Sequence, residues 1–386
     1  MNVSLNTKKL PLYFGLLIVT ILFVNCSGDN QVEEQPEEII EEEVLVDDGK
    51  ALIESLVAEF TKAGVNGGIP SDLQVVKTLT QDDDIQTAID EVAATGGGVI
   101  VLKSGQYPLY ATLNLKSNVV LRGENKDDVV INSLIRAYWS EGKKNTIKFD
   151  AVSYAGLENL TINYKVEGFE PKDRETWLTG GWCGECFQNN PDGLTDLYVR
   201  QVQLTASAKN CWVTNCKILN SGTDPILVAG EHNTLKGNYI DRCFNKGGSG
   251  NGYYDIRGKY NLIMNETVKR IRHLAIQQGA TYNVITECYI EGDVNFHNGD
   301  KGKNLVENTK IYLPTWHGWD IFGTGGAEYG HKPPGDDNIL VNNITNYKNQ
   351  GPRYANPNTI YSFKGFGKPV ITTYTLPESG KFYWKI

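Results

Sequence analysis

A repeated pattern of aliphatic residues and asparagines constrains the fold of this 386-residue chain more than any other feature. Each repeat has an anchor residue, an aliphatic residue two positions later, often an asparagine at four or five, and an aliphatic residue at six or seven. The anchors, at intervals of 22, 28, 22, 21 and 34 residues, are Cys211, Asn233, Asn261, Asn283, Asn304 and Asn338. A period near 22 residues, lengthened where loops insert, is typical of a solenoid of stacked coils. A β-sandwich would instead show turn signals every 8–12 residues or so without this phasing.

The recurring asparagines also predict how the coils connect. Short strands with alternate residues pointing inward would build each coil. Asparagine suits the turns between such strands because it tolerates left-handed backbone angles, and its amide can bond to the asparagine of the next coil. Cys216 and Cys288 occupy similar phases of their coils. We therefore expect both thiols to be buried in a ladder position.

The start of the domain carries a second, independent signal. Residues 82–90 form an amphipathic helical pattern that a triple glycine at 96–98 ends. Strand-like segments follow at 99–102 and 118–123, with a Gly-Gln-Tyr turn at 105–107 between them. This order resembles the N-terminal cap and first coil of the pectin-lyase-like superfamily. The resemblance implies an all-β, single-stranded right-handed parallel β-helix with a short N-terminal capping helix, a fold used by polysaccharide lyases and related glycoside hydrolases.

The first 69 residues have a different character. Lys8 and Lys9 precede an apolar run at 10–24, and Cys26 follows at once. This resembles a bacterial lipoprotein signal, although Asn25 stands where a small residue is usual. The acidic segment 27–46 resembles the surface-export tether of Bacteroidota lipoproteins, and residues 48–63 show a short amphipathic helical pattern. We predict a signal at 1–26 with lipidated Cys26, a tether and helix at 27–69, and a catalytic β-helix at 70–386. The resemblance implies a lipid-anchored protein of the cell surface or outer membrane; a plain secretory signal with an incidental cysteine is the alternative.

The net charge of −9 comes almost entirely from the tether. Residues 1–32 contribute +1 and residues 33–48 contribute −9, so the remaining body carries about −1. A nearly neutral body gives no global field that would attract nucleic acid. We therefore expect an extracellular polysaccharide as the partner, no nucleic acid, and membrane contact only through the anchor.

A Cys-x-x-Cys motif at Trp182-Cys183-Gly184-Glu185-Cys186 resembles a thioredoxin active site. That motif requires a strand before it and a helix after it. Here glycines precede it and an Asn-Asn-Pro sequence follows, which favours a loop. A local disulfide or packed thiols is the preferred interpretation over redox catalysis, and no second ligand pair suggests zinc.

Histidines and charged residues recur on successive coils between residues 253 and 320. If Tyr254, Ile256, Leu274 and Ile276 point inward, their neighbours stack on one outer face about 4.8 Å apart. Three of the five histidines fall on this face. The predicted catalytic residues are His273, His297, Arg257 and Asp293. The predicted substrate-binding residues are Asp255, Lys259, Gln277, Asn295, Trp316, His317, Trp319 and Asp320.

These residue types favour β-elimination on a uronate-containing polysaccharide. Such a lyase needs a cation to neutralise the carboxylate, a base for the C5 proton and an acid for the leaving oxygen. The candidates are Arg257 or Lys259 for the cation, His273 or His297 for the base, and Tyr254 or His317 for the acid. Trp316 and Trp319 would stack on sugar rings, and insertions at 323–337 and 247–252 would wall the groove.

Three alternatives stay open from sequence. A glycoside hydrolase of the same fold would use a carboxylate pair such as Glu291 and Asp293, taken to lie on one strand, with Asp255 and Asp320 as further candidates. A non-catalytic glycan-binding β-helix would use the groove without the histidines, and an epimerase would share the chemistry of a lyase. No cofactor is required, although Asp255, Asp293 and Asp320 could supply a calcium site.

Overall fold

The structure, a computed structural model, describes residues 48–165, 196–247 and 250–384. The predicted signal, Cys26, the acidic tether and the Cys183–Cys186 motif lie outside the described residues. No helix in these described ranges is long and apolar enough to span a membrane.

Within the described residues, two α-helices precede most of the strands: α1 (Asp48–Phe60) and α2 (Ile85–Ala94). The Asp84 side chain accepts a hydrogen bond from the Thr87 amide and so caps the N-terminus of α2. The buried face of α2 packs against the first strands and closes that end of the core. The predicted capping helix is therefore confirmed. Short 3₁₀ helices of the described part of the chain lie at Trp139–Glu141 and Ala327–Tyr329.

The described residues contain 29 strands. The first are β1 (Val75–Leu79), β2 (Gly98–Leu102), β3 (Gly105–Leu109), β4 (Leu113–Leu115), β5 (Val119–Gly123), β6 (Val129–Ser133), β7 (Lys144–Phe149), β8 (Gly156–Glu158) and β9 (Thr161–Tyr164). The next are β10 (Val199–Leu204), β11 (Trp212–Thr214), β12 (Lys217–Ser221), β13 (Ile226–Val228), β14 (Thr234–Lys236), β15 (Tyr239–Cys243), β16 (Tyr253–Ile256), β17 (Leu262–Met264), β18 (Thr267–Lys269) and β19 (His273–Ile276). The last are β20 (Val284–Thr286), β21 (Tyr289–Glu291), β22 (Val294–Phe296), β23 (Leu305–Glu307), β24 (Lys310–Leu313), β25 (Phe322–Thr324), β26 (Ile339–Val341), β27 (Ile344–Tyr347), β28 (Tyr361–Ser362) and β29 (Val370–Ile371).

These strands form three sheets that the chain visits in turn. Sheet A has twelve strands in the order β1-β2-β5-β8-β11-β14-β17-β20-β23-β26-β28-β29, sheet B has nine from β3 to β27, and sheet C has eight from β4 to β25. From β2 to β27 each coil contributes one strand to A, then B, then C, and every pairing is parallel. Only the terminal β28 and β29 pair antiparallel. The fold is the predicted right-handed parallel β-helix, and the hydrophobic core runs inside the three sheets.

The repeat seen in the sequence is the coil of the solenoid. The strands that follow the anchors stack in sheet A, where Trp212 pairs with Thr234 and Thr234 with Leu262. Side-chain amides of the anchors form a hydrogen-bonded ladder of 2.9–3.0 Å steps, as predicted, through Asn233, Asn261, Asn283, Asn304 and Asn338. The corner asparagines that adopt left-handed backbone angles are Asn215, Asn265, Asn308 and Asn342. Cys216 and Cys288 are buried in the core, which also confirms their predicted position.

Helix α1 packs against the outer surface of sheet A. Ile53, Leu56 and Phe60 form a buried cluster with residues of β17, β20, β23 and β26 and with Phe382 near the C-terminus. The sequence prediction assigned this helix to the segment before the domain; in the structure it covers an apolar strip of the solenoid, because sheet A presents Leu262 and its neighbours outward there.

Candidate active site

The outer face of sheet C carries most of the predicted site residues. Tyr253 pairs with His273, Asp255 with Ala275 and Ala275 with Asn295 along adjacent strands. The four predicted inward residues belong to the core, namely Tyr254, Ile256, Leu274 and Ile276, and so do Val294 and Phe296 of β22. The predicted outward orientation is therefore confirmed for Asp255, Arg257, His273, Gln277, Asp293, Asn295 and His297.

A cavity of about 720 Å³ opens over this face. The residues that line it are Lys143, Tyr198, Arg200, Gly250, Tyr253, Arg257, Arg272, Gln277, Gln278, His297, Asn298, Trp319, Gly325, Gly326, Tyr329 and His331. Gly325 to His331 come from the insertion at 323–337, and Gly250 comes from the other predicted loop. Both loops therefore wall the cavity as expected.

The lining is cationic. Four lysine or arginine side chains line the cavity, and none of the described residues that line it is a carboxylate. The carboxylates that balance these charges lie underneath. Asp255 is 1% exposed, and it accepts hydrogen bonds from Arg257 Nε at 2.8 Å and Gln277 Nε2 at 2.9 Å. Asp255 therefore positions Arg257 and is not itself presented to a ligand.

A second cluster of charged residues lies at another part of the cavity and consists of Lys143, Arg200 and Asp224. One carboxylate oxygen, Oδ2 of buried Asp224, lies 2.6 Å from Lys143 Nζ and 3.2 Å from Arg200 Nη2. Its other oxygen accepts the amide of Tyr253 at 3.1 Å. Two cations share one carboxylate here, so this group has an excess positive charge facing the cavity. Burial lowers the pKa of Lys143, although Asp224 opposes the shift.

Arg272 lies between two aromatic rings at the centre of the site. Its guanidinium carbon is 5.5 Å from the ring centroid of Tyr253 and 5.2 Å from that of Trp319. Its Nη1 also donates to the Gly247 carbonyl. Stacking and hydrogen bonding thus hold this guanidinium rigidly, which is suitable for recognising a carboxylate or sulfate.

Tyr253 and His297 form a direct hydrogen-bonded pair in the cavity wall. The Tyr253 hydroxyl lies 3.0 Å from His297 Nε2, and His297 Nδ1 lies 3.1 Å from Asn295 Oδ1. Burial raises the pKa of Tyr253 and keeps the phenol protonated. Burial, reinforced by the neighbouring His273 and His331, lowers the pKa of His297 to about 3 and keeps the imidazole neutral. The pair therefore combines a proton donor with a proton acceptor.

His273, Asp293 and His317 form a buried network behind this pair. His273 Nδ1 lies 2.7 and 2.9 Å from the two oxygens of Asp293, and His317 Nε2 lies 3.2 Å from one of them. Burial lowers the pKa of His273 to about 4. Burial alone would raise the pKa of Asp293, but the two imidazoles lower it well below its usual value. His273 is 0% exposed and does not line the cavity, so it cannot contact a substrate directly in this conformation.

The same three residues are the candidate metal ligands of the described part of the chain. Their ligand atoms lie within 4.8 Å of one another. The 2.7 and 2.9 Å distances are those of an N–H shared between both carboxylate oxygens, and His317 Nε2 donates to the Arg272 carbonyl at 2.8 Å. Hydrogen bonds thus satisfy the Asp293 carboxylate, whereas His273 Nε2 is buried without a hydrogen-bond partner among the described residues. The predicted calcium ligands do not converge, because Asp255 binds Arg257, Asp293 binds His273, and Asp320 binds Arg353.

Several predicted placements are wrong. Trp316 is only 7% exposed and offers no stacking surface; Trp319 lines the cavity instead. Lys259 pairs with Glu231 at the corner after sheet C, beyond the cavity. Asp320 turns towards Arg353, because a loop near the C-terminus covers it. His317 is 2% exposed and donates inward, so it is not a free acid.

Two further corrections follow from strand geometry. Tyr254 points into the core and its hydroxyl donates to buried Glu266, so the outward tyrosine is its neighbour Tyr253. Glu291 ends β21 in sheet B and pairs with Lys269, whereas Asp293 precedes β22 in sheet C. The turn at Gly292 separates them, so they are not a carboxylate pair on one strand.

The cavity also contains residues that the sequence did not identify. Tyr253 directly precedes the predicted inward residue Tyr254 and could have been found by extending the alternation one step further. Arg272 precedes outward His273 at the start of β19, so alternation does not identify it. Lys143 and Arg200 lie in earlier coils whose phase the sequence does not define, so no local pattern marks them.

No protein-family model matches the sequence, and no curated protein matches it either. Solved structures with a similar fold include a 1,3-α-1,4-β-D-galactose-4-sulfate-3,6-anhydro-D-galactose-2-sulfate 4 galactohydrolase (14% identity, TM-score 0.40, 66% of this chain and 61% of that one). Others are an iota-carrageenase from A. fortis (13%, 0.46, 69% and 60%) and the pectin methylesterase PemA from Erwinia chrysanthemi (10%, 0.39, 74% and 92%). The chain thus spans about three fifths of the length of the first two.

Proposed function

We propose that this protein is an enzyme that cleaves an anionic, uronate-containing polysaccharide by β-elimination. One observation carries the proposal: a cavity lined by four cationic side chains, with no carboxylate among its described lining residues, contains the Tyr253–His297 pair. The cations suit a chain of acidic sugars. The pair suits a reaction that removes one proton and supplies another.

The reaction assigns one step to each member of the pair. His297 Nε2 takes the C5 proton, and the C–H electron pair forms the C4–C5 double bond. The C4–O4 bond breaks, and O4 leaves with the proton of the Tyr253 hydroxyl. The proton on His297 then returns to the phenolate across the 3.0 Å hydrogen bond, which restores both groups. No water is consumed.

The cations lower the energy of the carbanion-like transition state. Arg272, held between Tyr253 and Trp319, packs directly on one member of the pair and would bind the uronate carboxylate whose charge rises as C5 loses its proton. The bound carboxylate also adds negative charge near His297. This raises the low pKa of that imidazole towards the range where it is an effective base.

A glycoside hydrolase is disfavoured by the position of the carboxylates. Hydrolysis needs two carboxyl groups that reach the glycosidic bond from either side. Asp224, Asp255 and Asp293 each lie at or below 1% exposure and are saturated by hydrogen bonds or ion pairs under the cavity floor. None of the three can reach a sugar unless the floor rearranges.

The test is to incubate the purified protein with a panel of polyuronates and sulfated galactans. Ultraviolet absorbance of the unsaturated product and new reducing ends are followed together. Tyr253→Phe and His297→Gln should each lower kcat by about 10²–10⁴-fold. Tyr289→Phe, the same substitution on sheet B away from the cavity, serves as the matched control. Reducing ends without absorbance would replace elimination by hydrolysis, and binding without either signal would replace it by glycan adhesion.

We also propose that Cys26 is lipidated and that the acidic tether holds the enzyme at the outer surface of the cell. The support is the sequence pattern of a short apolar run followed by cysteine. Labelling cells with a fatty-acid probe should mark the wild type but not Cys26→Ser. Equal labelling of both, or of neither, would contradict the proposal.

A further inference from the structure

Asn295 lies at the centre of the outer face of sheet C, fully buried between a carboxylate and an imidazole. Its Nδ2 donates to Asp293 Oδ2 at 2.9 Å, and its Oδ1 lies 3.1 Å from His297 Nδ1. Asp293, Asn295 and His297 occupy alternate positions of one strand and its flanks, so all three project outward. A continuous chain of hydrogen bonds therefore runs from Asp293 to the Tyr253 hydroxyl.

The direction of every bond in this chain follows from its buried end. The Asp293 carboxylate has no hydrogen to donate, so its oxygens act only as acceptors towards His273 Nδ1 and towards the Asn295 amide. The Asn295 amide must therefore turn its NH₂ group to Asp293 and its oxygen to His297. An amide oxygen accepts only, so His297 must carry its proton on Nδ1. Its Nε2 is then a bare lone pair, which accepts from Tyr253.

We propose that Asn295 is a positioning residue that fixes His297 in the Nδ1–H tautomer and so leaves the Nε2 lone pair at the cavity. The catalytic consequence rests on the proposed function, whereas the tautomer itself does not. In the opposite tautomer Nε2 would carry a hydrogen and could not remove a substrate proton. Asn295 therefore determines whether the pair works, although it contacts no substrate.

The buried histidines have a role in the same arrangement. His273 Nδ1 faces both oxygens of the Asp293 carboxylate, and His317 Nε2 lies 3.2 Å from one of them, so the two imidazoles enclose this acceptor beneath the cationic cavity. The network His273–Asp293–His317 thus stabilises the Asn295 amide with its NH₂ group towards Asp293 and its oxygen towards His297.

The test reads the tautomer directly by two-bond nitrogen–hydrogen correlation NMR on protein with labelled histidine, assigned with His297→Gln. We expect wild-type His297 to show a protonated Nδ1 and a bare Nε2. Asn295→Leu, which removes the acceptor and keeps the branched shape of the side chain, should shift the population to Nε2–H and lower kcat by roughly 10²-fold. Asn295→Asp is the conservative variant: an acceptor oxygen still faces Nδ1, so the Nδ1–H tautomer should be retained.

The outcomes separate this inference from the proposed function. A wild-type His297 with its proton on Nε2, or an Asn295→Leu variant that keeps the Nδ1–H form, would overturn the positioning role. The wild-type spectrum alone suffices if Asn295→Leu does not fold. If the tautomers behave as expected but no polyuronate is cleaved, the positioning role of Asn295 stands and the proposed function fails.

The tautomer depends on groups around His297 from three coils and one loop, namely Tyr253, Arg272, His273, Asp293 and His331.

Discussion

Truncating one member of the buried asparagine ladder should destabilise the whole solenoid. Asn283 is fully buried and makes four side-chain hydrogen bonds. Its Nδ2 donates to the Gly258 carbonyl and to Asn304 Oδ1, both at 2.9 Å. Its Oδ1 accepts the backbone and side-chain N–H groups of Asn261, both at 3.0 Å. Asn283→Ala removes all four at once.

The magnitude depends on which partners are left without a substitute. Asn261 Nδ2 keeps its bond to the Gly230 carbonyl, and Gly258 keeps the Thr281 amide. The Asn261 backbone N–H loses its side-chain acceptor and becomes buried and unpaired, which costs about 1–3 kcal/mol. Three further weakened bonds and a small void raise the total to roughly 2–4 kcal/mol.

The assay is urea unfolding followed by tryptophan fluorescence and circular dichroism. The matched control is Asn265→Ala, the same substitution at an exposed corner with φ of 55°. It loses only the tolerance of asparagine for left-handed angles, about 1 kcal/mol. A free energy of unfolding for Asn283→Ala no lower than that of Asn265→Ala would refute the view that the ladder stabilises the coils.

Three other predictions follow from the same contacts. Arg272→Met should weaken binding of oligouronates by about 10- to 100-fold, since a charge-assisted bond is lost; calorimetry measures it. The pKa of His273 is about 4 when folded and about 6.5 when unfolded. The unfolded state therefore binds more protons between these values, so stability should fall as pH is lowered from about 6.5 to about 4. His273→Gln should flatten this slope in thermal melts, and an unchanged slope would contradict the assignment. Burial raises the pKa of Cys216 to about 12, so Cys216 and Cys288 should resist thiol reagents until the protein unfolds, as peptide mapping would show.

The fold was accessible from sequence because a solenoid repeats its constraints. Each coil independently places an asparagine at a corner and aliphatic residues inside, so one misplaced residue does not change the phase of the others. The same phase predicted which side chains of Asp255, His273 and Asn295 face outward. Before Cys211, the first anchor, the repeat does not define the phase, and the cations Lys143 and Arg200 could not be assigned to the cavity.

Exposure could not be predicted as well as orientation. A residue that faces outward on a strand is still buried when a loop or a neighbouring ring covers it. Trp319 and Arg272 cover His273 in this way, and the segment around Arg353 covers Asp320. Strand alternation also gives no information about these covering elements, since they are irregular and distant in sequence. This is why, of the two predicted bases His273 and His297, only His297 lines the cavity, with Tyr253 as its partner.

The most direct test of the central claim is the origin of the atoms in the products. Cleavage of a purified polyuronate is carried out in water enriched in heavy oxygen, and the oligosaccharides are weighed by mass spectrometry before exchange at the reducing end. Elimination predicts two products whose masses sum to that of the substrate, one with an unsaturated end and neither with heavy oxygen from cleavage. Products that together gain one labelled water would establish hydrolysis and contradict the account.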